Sequence, residues 1–312
     1  MSDLKTKQLT HGALMMAIFF VLLLIVLYVP LLNLITIFFI PLPFIVHMVR
    51  FDLQATLLTG VASLALTVIL TPLPAVFITI AAVTVGMVMG HFYAQKKGPF
   101  LPMLAGMVTY IVNYVLLFLV SFFLLDINLL DSMEQMLRES LLMTENTAEF
   151  WNMPLDEELQ MSFEEMVEGI TYVFPAIMIL SALMMSAVHH GISRSVLHRL
   201  GQRIQVLPPF REWNMPKSML YYYLIALILV ILGVLEEGGT LSFFVINLHM
   251  ILEILLLIQG LTMIAHFAHS KGWGKIVPVG VIVLAVLIPL VANIVRIIGI
   301  LDLGFGLKQR VK

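Results

Sequence analysis

The chain has 312 residues, 61% of them hydrophobic and 12% charged. Soluble domains carry about 45–50% apolar and about 25% charged residues, so this composition excludes a fold solvated by water alone. No cysteine is present, which excludes disulfides and thiolate metal sites.

The net charge of −2 hides strong segregation. Twelve of the 19 acids lie between Asp126 and Glu168, where Arg138 is the only base. A hydrocarbon core of about 30 Å needs roughly 20 apolar residues per helix. Nine runs meet or approach that length: 12–29, 31–49, 53–70, 74–93, 100–125, 170–190, 218–235, 241–267 and 276–301. The first lacks a small-residue cleavage site and reads as a retained helix rather than a signal peptide. The second carries Pro41 and Pro43, each of which removes a backbone donor, so it reads as kinked or broken. Backbone groups in lipid must pair internally, which makes helices the default for all nine.

Lys and Arg in short loops orient the spans. Lys5 and Lys7 place the N-terminus inside. Alternation then puts Arg50, Lys96, Lys97, the bases of 191–217, Lys271 and Lys275 on the same side, and the acidic segment 126–168 outside. Nine crossings carry the tail, with Lys308, Arg310 and Lys312, outside against this rule. Discounting span two would invert the connections after Arg50, so nine are retained. The chain reads as a six-helix bundle over 1–190, a basic loop over 191–217 and a three-helix segment over 218–312. Ile-Pro-Leu-Pro at 40–43 and Thr-Pro-Leu-Pro at 71–74 read as a chance match.

Several residues stand out within the spans. Ala13 and Ala17, four apart, allow close approach of another helix. Ala82, Gly86 and Gly90 form a small-residue stripe suited to packing inside the bundle. Tyr110, Asn113 and Tyr114 share one region of span five and form a candidate pocket for a small organic ligand. An interhelical hydrogen bond with aromatic packing is the plainer alternative. Asn247, His249 and Glu253 on span eight face Asn293 and Arg296 on span nine. Counted from the 268–275 turn, Arg296 lies level with Asn247 and His249. An ion pair between Arg296 and Glu253 is expected, as a functional relay or a structural clamp. His189, His190 and His198 read as a solvated basic surface near anionic lipid rather than a metal site. Asp156, Glu157, Glu158, Glu164 and Glu165 read as a solvated amphipathic segment. Trp151 and Tyr172 fit an outer aromatic belt. No catalytic constellation, metal centre, cofactor motif or nucleic-acid surface is visible.

The run Ile-Pro-Leu-Pro-Phe-Ile-Val-His-Met-Val-Arg, followed by Leu-Gln-Ala-Thr-Leu-Leu-Thr-Gly, resembles helices two and three of the substrate-binding S components of energy-coupling-factor (ECF) transporters. Those are six-helix bundles whose first helix docks a transmembrane coupling subunit through an Ala-x-x-x-Ala motif, matched here by Ala13-Leu-Met-Met-Ala17. The whole chain, ending Gly-Ile-Leu-Asp-Leu-Gly-Phe-Gly-Leu-Lys, resembles the uncharacterised YybS family of Gram-positive multi-pass membrane proteins. The resemblances imply an all-α protein of the bacterial plasma membrane with a cytoplasmic N-terminus. They also imply a small-solute-binding transport subunit with a coupling partner. The alternative is a non-transporting scaffold or regulator, and an enzyme comes third. A closed, polar-lined cavity near Asn113, opening outward, would separate the first two.

Overall fold

A computed structural model of the chain describes residues 2–151, 157–202, 204–205, 207–236, 238–274 and 276–310. Among them the helices are α1 (Ser2–Tyr28), α2 (Asn33–Thr36), α3 (Leu42–Arg50), α4 (Leu53–Leu70), α5 (Leu73–Gln95), α6 (Leu101–Leu124), α7 (Leu129–Phe150), α8 (Glu157–Arg199), α9 (Ser218–Ile231), α10 (Thr240–Ser270), α11 (Ile276–Leu287), α12 (Pro289–Phe305) and α13 (Leu307–Arg310). Seven stretches are long and apolar enough to cross a membrane, counting Asn33–Arg50 as one. The multi-pass all-α reading therefore holds. The chain divides into two compact units, 1–133 with 178–207, and 134–177 with 208–312. This division assigns 134–177 to the C-terminal unit, whereas the sequence reading groups it with the first six spans.

In the first unit, the second span breaks where its prolines lie. A single turn of α2 and a 3-10 turn at Ile37–Phe39 precede Pro41, and α3 begins at Leu42 with Pro43 in its first turn. Proline is tolerated there because the first helical N–H groups have no partner in any case. The Asp52 side chain caps α4 by accepting from the Ala55 N–H at 2.8 Å. α4 is inverted relative to a soluble helix. Its buried face is Thr56, Thr59, Gly60, Ser63 and Thr67, while Leu58, Val61 and Val68 point outward. Each hydroxyl donates to the carbonyl four residues back, as Ser63 does to Thr59 at 2.8 Å and Thr67 to Ser63 at 2.9 Å. Thr67 and Thr79 also meet at 3.0 Å across α4 and α5. The polar stripe is thus satisfied without water. Gly86 and Gly90 bring α5 against α3: a Cβ at Gly90 would lie 3.1 Å from the Ile45 carbonyl. The small-residue stripe is a packing surface. Phe19, Phe44, Ile45, Val85 and Met89 fill the core around it.

In the second unit, α10 is the central element. The first part of α8 runs alongside it in the same direction: the Tyr172 hydroxyl meets Ser242 Oγ at 2.6 Å, and the Ala176 N–H donates to Asn247 Oδ1 at 2.8 Å. α9 runs the opposite way, with Tyr223 against His249 and the Met215 N–H on Gln259 Oε1. α12 again runs with α10. Glu253 pairs with Arg296, Gln259 with Asp302, and Thr262 with Lys308 just beyond α12. Two glycines make that approach possible. A Cβ on Gly299 would collide with the Leu256 carbonyl, and one on Gly260 with the Val295 carbonyl.

This register corrects the ninth span. Residues 276–301 are not one crossing. α11 has 12 residues, α12 has 17, and Pro289 opens α12 after the extended Ile288. Because α12 runs with α10, α11 must climb back from the turn after α10, and the two form a hairpin. Lys308 therefore returns to the end of the unit that holds Trp213, whose carbonyl accepts from Lys308 Nζ at 2.6 Å. The count of nine crossings that carried Lys308 away from this end of the second unit no longer applies. α9, at 14 residues, spans only about 21 Å. α8, at 43 residues, extends well past both ends of the expected sixth span.

Candidate functional site

Tyr110, Asn113 and Tyr114 line a cavity of about 380 Å³ in the first unit. Its other walls come from Ile37 to Pro41, from α5 between Phe77 and Ala82, from α6 as far as Val120, and from Met185. It lies toward the ends of α5 and α6 that are remote from the Lys96–Lys97 turn. The break in the second span supplies one wall: Ile37, Ile40 and Pro41 are held there because the chain cannot continue a helix through Pro41.

Two of the polar side chains of this cavity, Asn113 and Tyr110, are engaged. Asn113 Nδ2 donates to the Thr109 carbonyl at 2.7 Å and to Thr84 Oγ1 at 2.9 Å. Thr84 in turn donates to the Ile80 carbonyl at 2.8 Å. The Tyr110 hydroxyl bonds His189 Nδ1 at 2.9 Å, and the two rings stack with an interplanar angle of 16°. The Tyr114 ring packs on Tyr110, with centroids 5.9 Å apart. The remaining lining is apolar. A cavity is present near Asn113, but it is apolar rather than polar-lined.

This arrangement revises the histidines. His189 and His190 are 2% and 1% exposed, not a solvated surface; His198 alone of the three is exposed. His190 Nδ1 bonds the Tyr93 hydroxyl at 2.8 Å, as His189 bonds Tyr110. Tyrosines on α5 and α6 were the signal: a phenol in lipid needs a partner, and imidazole supplies one. His47, fully buried, likewise meets Thr56 Oγ1 at 3.0 Å.

Ala13 and Ala17 are both exposed. Ala13 lines a groove of about 490 Å³ between α1 and α4, beside Gly12, Ala55 and Thr59.

In the second unit, His249, Glu253, Asn293 and Arg296 come together. Arg296 Nη1 pairs with Glu253 Oε1, and Arg296 Nη2 donates to Asn293 Oδ1 at 2.9 Å. His249 Nε2 lies 3.5 Å from the same Glu253 oxygen, and its ring stacks on Tyr223 at 5.1 Å. Arg296 is level with Glu253, not with Asn247, because α12 runs with α10 rather than against it. Asn247 serves elsewhere. Pro175 lies inside α8, and the Asn247 amide enters the α8 ladder next to it, accepting from the Ala176 N–H and donating to the Tyr172 carbonyl at 2.9 Å. It replaces a bond that the helix would otherwise close on itself.

A second polar cluster escaped the sequence reading. Gln259, fully buried, donates to Asp302 Oδ2 at 2.6 Å and to Asn214 Oδ1 at 3.0 Å, while its Oε1 accepts from the Met215 N–H at 2.9 Å. Lys308 Nζ donates to the Trp213 carbonyl and to Thr262 Oγ1, both at 2.6 Å, and lies 3.5 Å from Asp302. Burial holds the Lys308 ammonium below the usual lysine range, and Asp302 offsets part of that shift. Asp302, a lone acid closing an apolar run, was the available signal.

Two mutational outcomes follow from these contacts. Asn247→Leu leaves the Ala176 N–H and Tyr172 carbonyl unpartnered and should lower thermal stability in detergent by about 2 kcal/mol. Adding Pro175→Ala should recover more than half of that, since the ladder can then close; additive losses would show that the amide does not serve the kink. Arg296→Ala should cost about 2–3 kcal/mol alone and less than half as much in a Glu253→Ala background, because the unpaired charge is the burden. Equal costs in both backgrounds would mean that the pair is energetically idle.

Over residues 17–303 the chain matches the family model described as predicted membrane protein (DUF2232). It is 31% identical over 309 residues, 99% of each chain, to the uncharacterized protein YybS of Bacillus subtilis (strain 168). No solved structure matches it. A multi-pass helical fold, a family match across most of the length and a relative aligned over 99% of both chains agree: the chain belongs to the YybS (DUF2232) family of membrane proteins.

Proposed function

We propose that the protein is a small-solute-binding membrane transport subunit, akin to an ECF S component, in the bacterial plasma membrane with its N-terminus in the cytoplasm. The single observation that carries this reading is the cavity of about 380 Å³ bounded by the broken second span, α5 and α6. With the basic turns inside, that cavity lies in the outer half of the bundle, where a solute would enter from outside. The chemistry of its walls selects the solute. Asn113 and Tyr110 already have partners, and no charged side chain lines the space. A charged solute would have no counter-charge there, so an uncharged, largely apolar molecule fits. The space is equivalent to about a dozen waters. Binding rather than catalysis is the task such walls can perform. The exposed Ala13, which lines the α1–α4 groove, and the exposed Ala17 one turn further along α1 supply the surface for a coupling subunit.

One observation favours the scaffold reading instead: the internally satisfied Asn113 amide is what interhelical glue alone would require. The two readings part in one experiment. Small molecules retained on purified full-length protein are identified by mass spectrometry, for the wild type and for Ala81→Phe, which fills the cavity from α5. The transport reading expects a neutral organic molecule on the wild type and at least about a tenfold lower occupancy on the variant. In the same preparations, an ECF transmembrane subunit should co-purify with the wild type and be lost from Ala13→Leu/Ala17→Leu. An empty wild-type cavity and no retained subunit would favour the scaffold.

A further inference from the structure

The last two turns of α8 carry a second recess, on the first unit and at its basic end. His190, Arg194 and His198 lie four apart along one stripe, with Gly191, Ser195 and Arg199 on the adjoining one. The chain that follows turns back over this face, so that Ile204 and Leu207 enclose a recess of about 620 Å³. The recess is therefore walled rather than a bare helix surface.

Its charge is unbalanced. No acid occurs between Glu168 and Glu212, and no carboxylate lines the recess. Among the described residues, neither Arg194 nor Arg199 makes a salt bridge, and both are exposed. The His190 ring is fixed by the Tyr93 hydroxyl on Nδ1, and its buried Nε2 has no hydrogen-bond partner among the described residues. A Cβ on Gly191 would meet nothing within 4 Å, so the absence of a side chain there keeps the recess open.

We infer that this recess binds the phosphate of an anionic phospholipid headgroup. The two guanidiniums of Arg194 and Arg199, both in the lining, suit phosphate oxygens, which arginine bonds in pairs. A lipid is favoured over a free phosphate for two reasons. The recess closes the end of a membrane-length apolar helix, Gly169–Arg199, where headgroups lie. Ala187, Ile204 and Leu207 give it apolar walls that a bare phosphate cannot use but a glycerol backbone can.

The test is native mass spectrometry of the full chain titrated with phosphatidylglycerol, with thermal stability in inorganic phosphate as a parallel arm. Wild type should retain the lipid, and Arg194→Gln/Arg199→Gln should weaken it about thirtyfold. Gly191→Phe, which changes no charge but fills the recess, should weaken it comparably. Lys96→Gln/Lys97→Gln removes the same charge from another turn and should leave binding unchanged. Equal loss in that control would reduce the effect to general surface charge and overturn the site. An unaffected Gly191→Phe would do the same. Stabilisation by inorganic phosphate with no lipid retained would overturn the headgroup assignment.

Discussion

A hydrocarbon solvent offers no hydrogen bonds, so each polar group that enters it must bring its partner from the same chain. Almost every polar contact in this protein is an answer to that requirement. The hydroxyls of α4 bond their own helix, Asn113 ties α6 to α5, two tyrosine–histidine pairs tie α5 and α6 to α8, and Gln259 gathers Asn214, Met215 and Asp302. The apolar side chains, freed from holding a core against water, face outward on α4. What remains unspent is an apolar cavity whose Asn113 and Tyr110 are already engaged, and a basic recess with no carboxylate in its lining.

Close backbone contact is the second constraint, because helices in lipid gain little from burying more apolar surface. Gly260 and Gly299 let α10 and α12 meet carbonyl against Cα, which in turn brings Arg296 within reach of Glu253. The same contact fixes the direction of α12 and makes α11–α12 a hairpin. A single local feature, the absence of two side chains, thereby sets which side of the unit holds the tail.

The helical, multi-pass character and the break at Pro41 were legible in the sequence because length, hydropathy and proline act locally. The meeting of Glu253 with Arg296 was legible because lone charges in lipid demand partners. The hairpin was not. A largely apolar run of 26 residues with prolines at 278 and 289 looks like one kinked crossing, and only the register of α12 on α10 distinguishes a return from a passage. The burial of His189 and His190 was hidden for a related reason: basic neighbours such as Arg194 suggested a wet surface, while the tyrosine partners lie 79 and 97 residues away. Asn247 grouped by sequence with His249 and Glu253, yet its two-residue offset from His249 turns it to another face of α10, onto α8. Gln259 gave no local signal at all, since an isolated amide in an apolar run shows nothing of its three partners.

On the transport reading, the space beside Tyr110, Asn113 and Tyr114 holds an uncharged molecule. An experimental density map of the full chain, purified into lipid nanodiscs from its native membrane, tests it most directly. The expected result is compact non-protein density between Pro41 and Tyr114, in contact with Ile78 and Leu117 and with no charged side chain beside it. A map in which Phe77 and Leu117 close on Ile40 and leave no space would contradict the claim.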